Sequence, residues 1–326
     1  MKSRLKKFFL ISLALIIAST AGLFLYAHLV CGTSVTAMAA AFYMEMTDFN
    51  KIYESEENAN KALEDLRLSN LRNVEKPGMT NTIASRLSGK MQYFTVGDIN
   101  SSDTLIFYFP GGGFINQPKS QHWKLIDKIN VQTGYPVIVP IYLKVTSYNC
   151  DDAYAEIMEL YKLYADSTRI SKMIFMGDSS GANLALSLAM QLRDAEIRQP
   201  DKLILISPWM DLSMTNEEME ALEKDEFMTG IDGLRVFGKK WAGDRNVLDP
   251  VVSPLYGNFT GLGEIVIFSG TKDMLHPDIL LFEKRLITDK ADYTLYIGEN
   301  LPHVYPLFPT PEAKDTFTIM QNELSF

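Results

Sequence analysis

Six short apolar runs alternate with helical segments along most of the chain, and this alternation limits the possible folds more than any other feature. Most runs are apolar on both faces, which is typical of strands buried from both sides in a parallel sheet. Strands joined through helices predict a doubly wound, mostly parallel α/β sheet with right-handed crossovers. The runs are TLIFYF (104–109), PVIVPI (136–141), KMIFM (172–176), KLILIS (202–207), EIVIFS (264–269) and YTLYI (293–297), and the intervening helical segments are 120–132, 151–165, 180–194 and 277–289.

Two regions depart from the alternation and predict a cap. Residues 40–72 have helical spacing without a strand, and residues 208–263 separate the fourth run from the fifth. A structureless loop of that length is unusual in a compact domain. Because ligands bind at the carboxyl ends of the strands in open α/β sheets, we expect about 40–90 and 210–258 to form a helical cap over those ends. Residues 91–99 are expected to form an antiparallel hairpin at the sheet edge.

The first 34 residues differ from the rest of the chain, residues 35–326. Four Lys and Arg residues among the first seven precede residues 8–30, which carry no formal charge and are mostly apolar. A bilayer-spanning helix needs about 20 such residues and a signal-peptide core only about 7–15, so the length favours a membrane anchor over a cleaved signal. The cations are expected to stay in the cytoplasm, which places the remainder on the non-cytoplasmic side. Cleavage near the small residues TAMAA (36–40) would instead give a secreted protein.

The composition argues against nucleic acid as a partner. The chain has 31 basic and 40 acidic residues, and no dense basic patch lies beyond the N-terminus. Without the four N-terminal cations the remainder carries about −13, so membrane contact is expected through the N-terminal helix rather than this acidic body. The two cysteines, Cys31 and Cys150, are interpreted as free thiols, and their spacing suggests no metal site.

The stretch GDSSG, residues 177–181, lies between the third apolar run and a helical segment. Gly-x-Ser-x-Gly alone is weak evidence, but a strand before it and a helix after it are the context of a nucleophile elbow. The glycines allow a sharp turn that exposes the Ser179 hydroxyl, and the helix beginning at Ser180 directs its free N–H groups toward developing negative charge. We therefore predict that Ser179 is a nucleophile; the alternative is a glycine-rich turn with a capping serine.

A serine hydroxyl is a poor nucleophile until a base takes its proton. In an α/β hydrolase the base comes from the loop after the last strand, and His303 occupies that position. We therefore predict that His303 is the base. The other histidines of the chain are His28, His122 and His276.

The carboxylate that orients the base is expected between the serine and the histidine in chain order. Asp273 lies just past the fifth run, where a buried carboxylate can hold the imidazole tautomer and stabilise the imidazolium. Asp278 and Glu299 compete for this role.

Three consecutive glycines in PGGGF, residues 110–114, follow the first apolar run. Glycines let the backbone approach a substrate closely and turn its N–H groups into a site. The predicted oxyanion donors are the amides of Gly111, Gly112 and Ser180.

As a set, PGGGF, GDSSGAN, SPWMDLS, GTKDML and LPHVY resemble the hormone-sensitive-lipase-like branch of the α/β hydrolases. That family carries His-Gly-Gly-Gly, then Gly-Asp-Ser-Ala-Gly, then Asp and His, and the resemblance covers about residues 90–310. It implies an α/β hydrolase fold with a helical cap, serine carboxylic-ester hydrolysis, and no metal or organic cofactor. It gives triad roles to Ser179, Asp273 and His303 and oxyanion roles to Gly111, Gly112 and Ser180.

The sequence departs from the family pattern at two positions. Pro110 stands where the family has histidine, and because proline lacks an N–H and fixes φ, the glycine loop is expected to be repositioned and activity reduced. Ser180 replaces an alanine and keeps its amide. The N-terminal anchor also resembles the layout of arylacetamide-deacetylase-like members.

The sequence thus predicts a membrane-tethered serine esterase that acts on small or medium acyl esters. A catalytically weak or inactive small-molecule binding protein is the first alternative, since plant gibberellin receptors resemble this family and have lost the catalytic histidine. The retained His303 favours an enzyme. A peptidase or acyltransferase with the same triad is the second alternative.

Overall fold

The six apolar runs form six strands of one sheet in the computed structural model, which describes residues 12, 19–47, 50–75, 77–81 and 83–325. Within these residues the sheet has eight strands in the order β1-β2-β4-β3-β5-β6-β7-β8. The strands are β1 (Ile83–Ser88), β2 (Met91–Val96), β3 (Thr104–Phe109), β4 (Val137–Ile141), β5 (Lys172–Asp178), β6 (Lys202–Ile206), β7 (Glu264–Gly270) and β8 (Tyr293–Gly298).

The predicted mostly parallel α/β sheet is confirmed. Strands β3 to β8 pair in parallel, whereas β1 pairs with β2 and β2 with β4 in antiparallel fashion. The expected edge hairpin forms, and its second strand is 91–96. Its first strand, 83–88, falls in the range assigned to the cap, so that part of the assignment is wrong. The reason is that Gly89 takes a positive φ of 54° and turns these residues back along β2.

Helices cover both faces of the sheet. Those of the described residues are α1 (Ser19–Cys31), α2 (Val35–Met46), α3 (Glu56–Asp65), α4 (Arg67–Asn70), α5 (Ser120–Thr133), α6 (Cys150–Ala165), α7 (Ser180–Asp194), α8 (Glu218–Glu223), α9 (Ile231–Ala242), α10 (His276–Asp289) and α11 (Pro311–Glu323).

The central strands carry apolar side chains on both faces because helices pack on both sides. In β3, Leu105, Phe107 and Phe109 belong to one buried cluster, while Ile106 and Tyr108 belong to the other. Successive side chains of β3 point to opposite faces, and both faces are buried. The run TLIFYF therefore has no polar face, which is the pattern of a central strand. Both cysteines are free, as expected.

The two proposed cap segments pack against each other above the strand ends. Tyr53 lies between them: its backbone contacts Gly230 and Gly233, and its ring meets Phe237 edge-on at 5.5 Å. Asn116 lies in the loop after β3, and its Nδ2 donates a hydrogen bond to the Tyr53 hydroxyl at 3.1 Å. One aromatic side chain therefore connects both segments to the glycine loop.

The N-terminal helix α2 lies against the C-terminal helix α11, and Ser34 at the start of α2 bonds to it. The backbone N–H of Ser34 and its hydroxyl both donate to the Glu312 carboxylate, at 2.5 and 2.9 Å. Within the described residues no single helix is long and apolar enough to cross a membrane; α1 and α2 reach that length only as a pair bent by 81°. Half of the predicted anchor, residues 1–11 and 13–18, lies outside the described residues.

Candidate active site

The candidate nucleophile sits in a strained turn between β5 and α7. Ser179 has φ 53° and ψ −122°, a conformation that a non-glycine residue adopts only when its surroundings enforce it. Its N–H donates to Ile206 O at 2.8 Å, and its carbonyl accepts from Trp209 N at 3.2 Å. Both bonds run to the end of β6 and the loop after it, so the neighbouring strand holds the turn in place.

The flanking glycines permit this turn because no side chain fits beside it. A Cβ at Gly177 would lie 2.6 Å from the backbone carbon of Gly181, and a Cβ at Gly181 would overlap the carbonyl oxygen of Phe109. The Gly-x-Ser-x-Gly spacing is therefore a packing requirement between β5, α7 and β3.

We expect Gly181→Ala to destabilise the protein by about 1–3 kcal/mol, since the added methyl group must displace β3 backbone rather than a flexible side chain. Urea unfolding followed by circular dichroism measures this difference. Gly78→Ala is the control for steric overlap, because nothing lies within 4 Å of a Cβ at that position and its φ, like that of Gly181, is not positive. A loss at Gly78 as large as at Gly181 would contradict the steric explanation.

The predicted base and its carboxylate form a buried pair. His303 Nδ1 lies 3.0 Å from Asp273 Oδ2, and the two side chains are 3% and 0% exposed. Asp273 follows β7 and His303 follows β8, so both come from carboxyl ends of neighbouring parallel strands. The other oxygen, Asp273 Oδ1, accepts from Leu275 N at 2.9 Å, which fixes the carboxylate toward the imidazole.

The competing residues have other partners. Asp278 Oδ1 accepts from Asn216 Nδ2 at 2.8 Å, and Glu299 is exposed. His276 Nδ1 lies 2.8 Å from Ser269 Oγ, and His28 Nδ1 lies 3.0 Å from Thr33 O. Of the candidates, only Asp273 and His303 are brought together.

A third ionisable side chain, the Glu226 carboxylate, approaches the His303–Asp273 pair from the loop between α8 and α9. Its side chain is buried, with Oε1 accepting from Met228 N at 2.8 Å and Oε2 from Met274 N at 3.4 Å. Burial raises its pKa to about 7, against a lowering effect of His303. Sequence reasoning missed this residue, because KDEF resembles a solvated polar stretch.

Three charges set the proton affinity of His303. Burial alone would lower its pKa, but the charge of Asp273 and the hydrogen bond to it, with the charges of Glu226 and Asp178, raise the pKa above the usual 6.5. A base must be neutral to accept a proton. The basic form of His303 is therefore lost as the pH falls, starting above pH 6.5.

We expect Glu226→Gln to move the acid limb of the kcat/KM profile toward lower pH by about half a unit, because removing a nearby negative charge lowers the pKa of His303. Hydrolysis of a short ester measured between pH 5 and 9 gives the midpoint. Glu299→Gln, an equal change of charge at an exposed position, is expected to leave it in place. Identical midpoints in the Glu226 variant and the unmodified protein would contradict this assignment.

The residue before the nucleophile is a buried carboxylate. Asp178 accepts from the Tyr108 hydroxyl at 2.7 Å, and His122 Nε2 lies 3.2 Å from its other oxygen. Burial alone would raise the pKa of Asp178, but the charge of His122 and these hydrogen bonds hold it below the usual value. His122 and Asp178 thus form a buried pair next to the nucleophile, and both line the catalytic pocket.

The three glycines of the loop, Gly111, Gly112 and Gly113, all line the pocket beside Ser179. Gly112 and Gly113 take positive φ values of 131° and 62°. The predicted donors Gly111 and Gly112 therefore lie at the site, and Gly113 lies there with them although the sequence prediction left it out. Three identical neighbours give no sequence signal of which amide turns inward.

Pro110 leaves the loop anchored. The Tyr142 hydroxyl donates to the Pro110 carbonyl at 2.8 Å, and Phe114 N donates to Ser180 Oγ at 3.3 Å. Both ends of the glycine run are thereby fixed.

Ser179, His303 and the glycine loop line one pocket of about 70 Å³. The proposed cap contributes Tyr53, Met228 and Leu234 to its wall. Ser179 and His303 are only 6% and 2% exposed, so the pocket shields them from bulk water. A hydroxyl, an imidazole paired with a carboxylate, and backbone amides together suit attack on a carbonyl carbon.

Comparison with known proteins identifies the family. A model described as an α/β hydrolase fold matches residues 106–307, from β3 to the segment after His303. The chain belongs to the α/β hydrolase family. The predicted α/β hydrolase fold is thereby confirmed.

The similar proteins of this family are esterases and lipases. An esterase of Acinetobacter venetianus is 32% identical over 202 residues, which are 61% of this chain and 67% of that protein. A triacylglycerol lipase of Mycobacterium tuberculosis is 29% identical over 189 residues, 58% of this chain but only 39% of the lipase. A solved structure of a proposed esterase from Staphylococcus aureus is 26% identical with a TM-score of 0.80, covering 86% of this chain and 96% of its own. On these comparisons the chain is a carboxylesterase- or lipase-like hydrolase.

Proposed function

We propose that this hydrolase is a serine carboxylic-ester hydrolase that acts on short acyl esters through an acyl-enzyme. The observation that carries the proposal is the buried His303–Asp273 pair facing the same small pocket as Ser179 in its strained turn. The order of the motifs along the chain supports membership in the hormone-sensitive-lipase-like branch.

In the proposed reaction the Ser179 oxygen attacks the ester carbonyl while His303 takes its proton. His303 then protonates the leaving alcohol, and Asp273 orients and stabilises the imidazolium. The amides of Gly111, Gly112 and Ser180 are the proposed donors to the oxyanion, and the Gly113 amide is a further proposed donor because Gly113 lines the same pocket. Water, activated by His303, releases the acid and restores Ser179.

The size of the pocket supports a short acyl group. Its volume of about 70 Å³ is small beside the 300–1,000 Å³ that is typical of sites for whole ligands. With p-nitrophenyl acetate, butyrate, octanoate and laurate, we expect kcat/KM to be highest for acetate or butyrate. A maximum at laurate would contradict the short-acyl proposal, and no hydrolysis of any ester would favour a binding protein.

We also propose that residues 1–34 tether the enzyme on the non-cytoplasmic side of a membrane, in the layout of arylacetamide-deacetylase-like members. The run of cations before uncharged residues 8–30 supports this, as do the exposed apolar side chains of α1, such as Phe24 and Leu29. Carbonate extraction of membranes and protease accessibility of sealed vesicles test it. A soluble mature chain that begins near residues 36–40 would favour secretion instead.

A further inference from the structure

A groove of about 620 Å³ opens beside the catalytic pocket, between α5 and α11. The groove and the pocket share Gln121, Leu307 and Phe308, so the two spaces adjoin along one rim. Leu307 and Phe308 lie a few residues after His303. A molecule whose ester carbonyl sits at Ser179 can therefore extend over this rim.

The groove is cationic in an otherwise acidic protein. Lys124 and Lys128 line it from α5 and Lys314 lines it from α11, whereas the whole chain has a net charge of −9. Within the part of the chain that the structure describes, none of these three ammonium groups forms an ion pair with a carboxylate.

The neighbouring carboxylates have hydrogen-bond partners other than these lysines. Asp127 accepts hydrogen bonds from the Thr80 backbone and hydroxyl, and Glu312 accepts from Ser34. Asp315 is exposed on α11 and does not line the groove.

Lys128 and Lys314 are close enough to repel each other. Burial and the positive charge of Lys314 both lower the pKa of Lys128, whose ammonium nitrogen lies 3.6 Å from the centre of the Phe317 ring. Like charges that line one groove are stabilised when an anion binds between them. The placement of three lysines around one groove thus favours a negatively charged ligand.

The volumes of the two spaces suit the two parts of an ester. The pocket of about 70 Å³ admits a short acyl group, and the alcohol part needs further room. The groove supplies it, with the Leu307 and Phe308 side chains for the carbon skeleton and lysines for a charged end.

We propose that the groove is the subsite for the alcohol part of the substrate, and that this alcohol carries an anionic group, either a phosphate or a carboxylate. The proposal rests on the proposed ester hydrolysis at Ser179. Both anions share the chemistry that lysine recognises, a compact negative charge with several acceptor oxygens.

Three butyryl esters test the proposal: 1-butyrylglycerol, its 3-phosphate, and the butyryl ester of glyceric acid. They share an acyl group and differ in the charge of the alcohol. We expect the unmodified protein to hydrolyse the phosphate or the carboxylate ester with the higher kcat/KM, and the advantage to shrink as ionic strength rises from about 10 mM to about 500 mM. The two anionic esters distinguish phosphate from carboxylate.

The decisive variant replaces Lys124, Lys128 and Lys314 with glutamine, which keeps the length of the side chains. We expect kcat/KM for the preferred anionic ester to fall about tenfold while that for the neutral ester stays within about twofold. The matched control replaces the exposed Lys239, Lys240 and Lys284, which lie outside the groove, and changes the net charge equally. Equal effects on charged and neutral esters, or equal effects of both triple variants, would overturn the proposal.

Binding of glycerol 3-phosphate by calorimetry separates failure of this proposal from failure of the proposed hydrolysis. If even the neutral ester is not hydrolysed, the proposed hydrolysis fails, but the groove still predicts binding that weakens about tenfold in the groove variant and not in the control. Absence of binding to the unmodified protein, together with no preference among the three esters, would overturn the groove subsite.

Discussion

Replacing Ser179 with alanine is expected to reduce kcat/KM for a short p-nitrophenyl ester by about 10⁴- to 10⁶-fold, to the level that binding and the backbone amides sustain without a nucleophile. Alanine keeps a Cβ at the same place, so the strain at φ 53° is unchanged and the protein is expected to fold. Spectrophotometric assay of the purified protein measures the effect. Thermal unfolding of the variant checks that its structure is retained.

Ser187→Ala is the matched control for this variant. Ser187 is also buried and lies on α7, the helix that begins directly after Ser179, but it does not line the catalytic pocket. Its replacement is expected to leave kcat/KM within about twofold of the unmodified value. Equal activity of the Ser179→Ala variant and the unmodified protein would exclude Ser179 as the nucleophile.

Asp273→Asn is expected to lower kcat by about 10⁴-fold with little change in structure. Asparagine still accepts from Leu275 N through its carbonyl oxygen, so the loop after β7 is retained. Its amide nitrogen, however, cannot accept the Nδ1 proton of His303 at the position of Asp273 Oδ2, which disfavours the tautomer that leaves Nε2 free to act as a base. Pre-steady-state measurement of product release shows whether the acylation step itself is slowed.

Asp278→Asn controls for the loss of a buried carboxylate nearby. Burial raises the pKa of Asp278 to about 7, and the side chain bonds to Asn216 rather than to His303. We expect kcat for this variant to stay within about threefold of the unmodified value. A loss at Asp278 comparable with that at Asp273 would make Asp278 the orienting carboxylate.

The sequence predicted the central sheet because buried parallel strands leave a direct signature. TLIFYF has no polar face since helices cover both sides of β3, and the structure confirms that burial. The hairpin partner 83–88 escaped prediction because IASRLS mixes polar and apolar residues and lies at the sheet edge, where three of its positions are exposed. Its pairing depends on the turn at Gly89 rather than on its own pattern.

The candidate site was predictable only where chain order decides it. Ser179, Asp273 and His303 were named from their positions after strands β5, β7 and β8, and the structure brings Asp273 and His303 together as a buried pair. The pairing of His122 with Asp178 and the approach of Glu226 were not predictable, because each depends on a contact between distant segments of the chain. Such contacts have no local pattern in one sequence.

The cationic groove could not be predicted from the sequence either, because it depends on which charged side chains the fold brings together. A net charge of −9 describes the whole chain and suggested an acidic surface. Lys314 is far from Lys124 and Lys128 in sequence, and the packing of α11 beside α5 gathers the three lysines at one place. Local charge decides binding at short range, because charges farther away than about 10 Å are largely screened at 0.1 M salt.

The central claim is that the Ser179 hydroxyl is activated by the His303–Asp273 pair, and covalent labelling by a fluorophosphonate, mapped by peptide mass spectrometry, tests it most directly. We predict a single modified serine at position 179 in the native protein, no labelling of the Ser179→Ala variant, and strongly slowed labelling of a His303→Ala variant. Labelling of a different serine, or equally fast labelling of Ser179 without His303, would contradict the account.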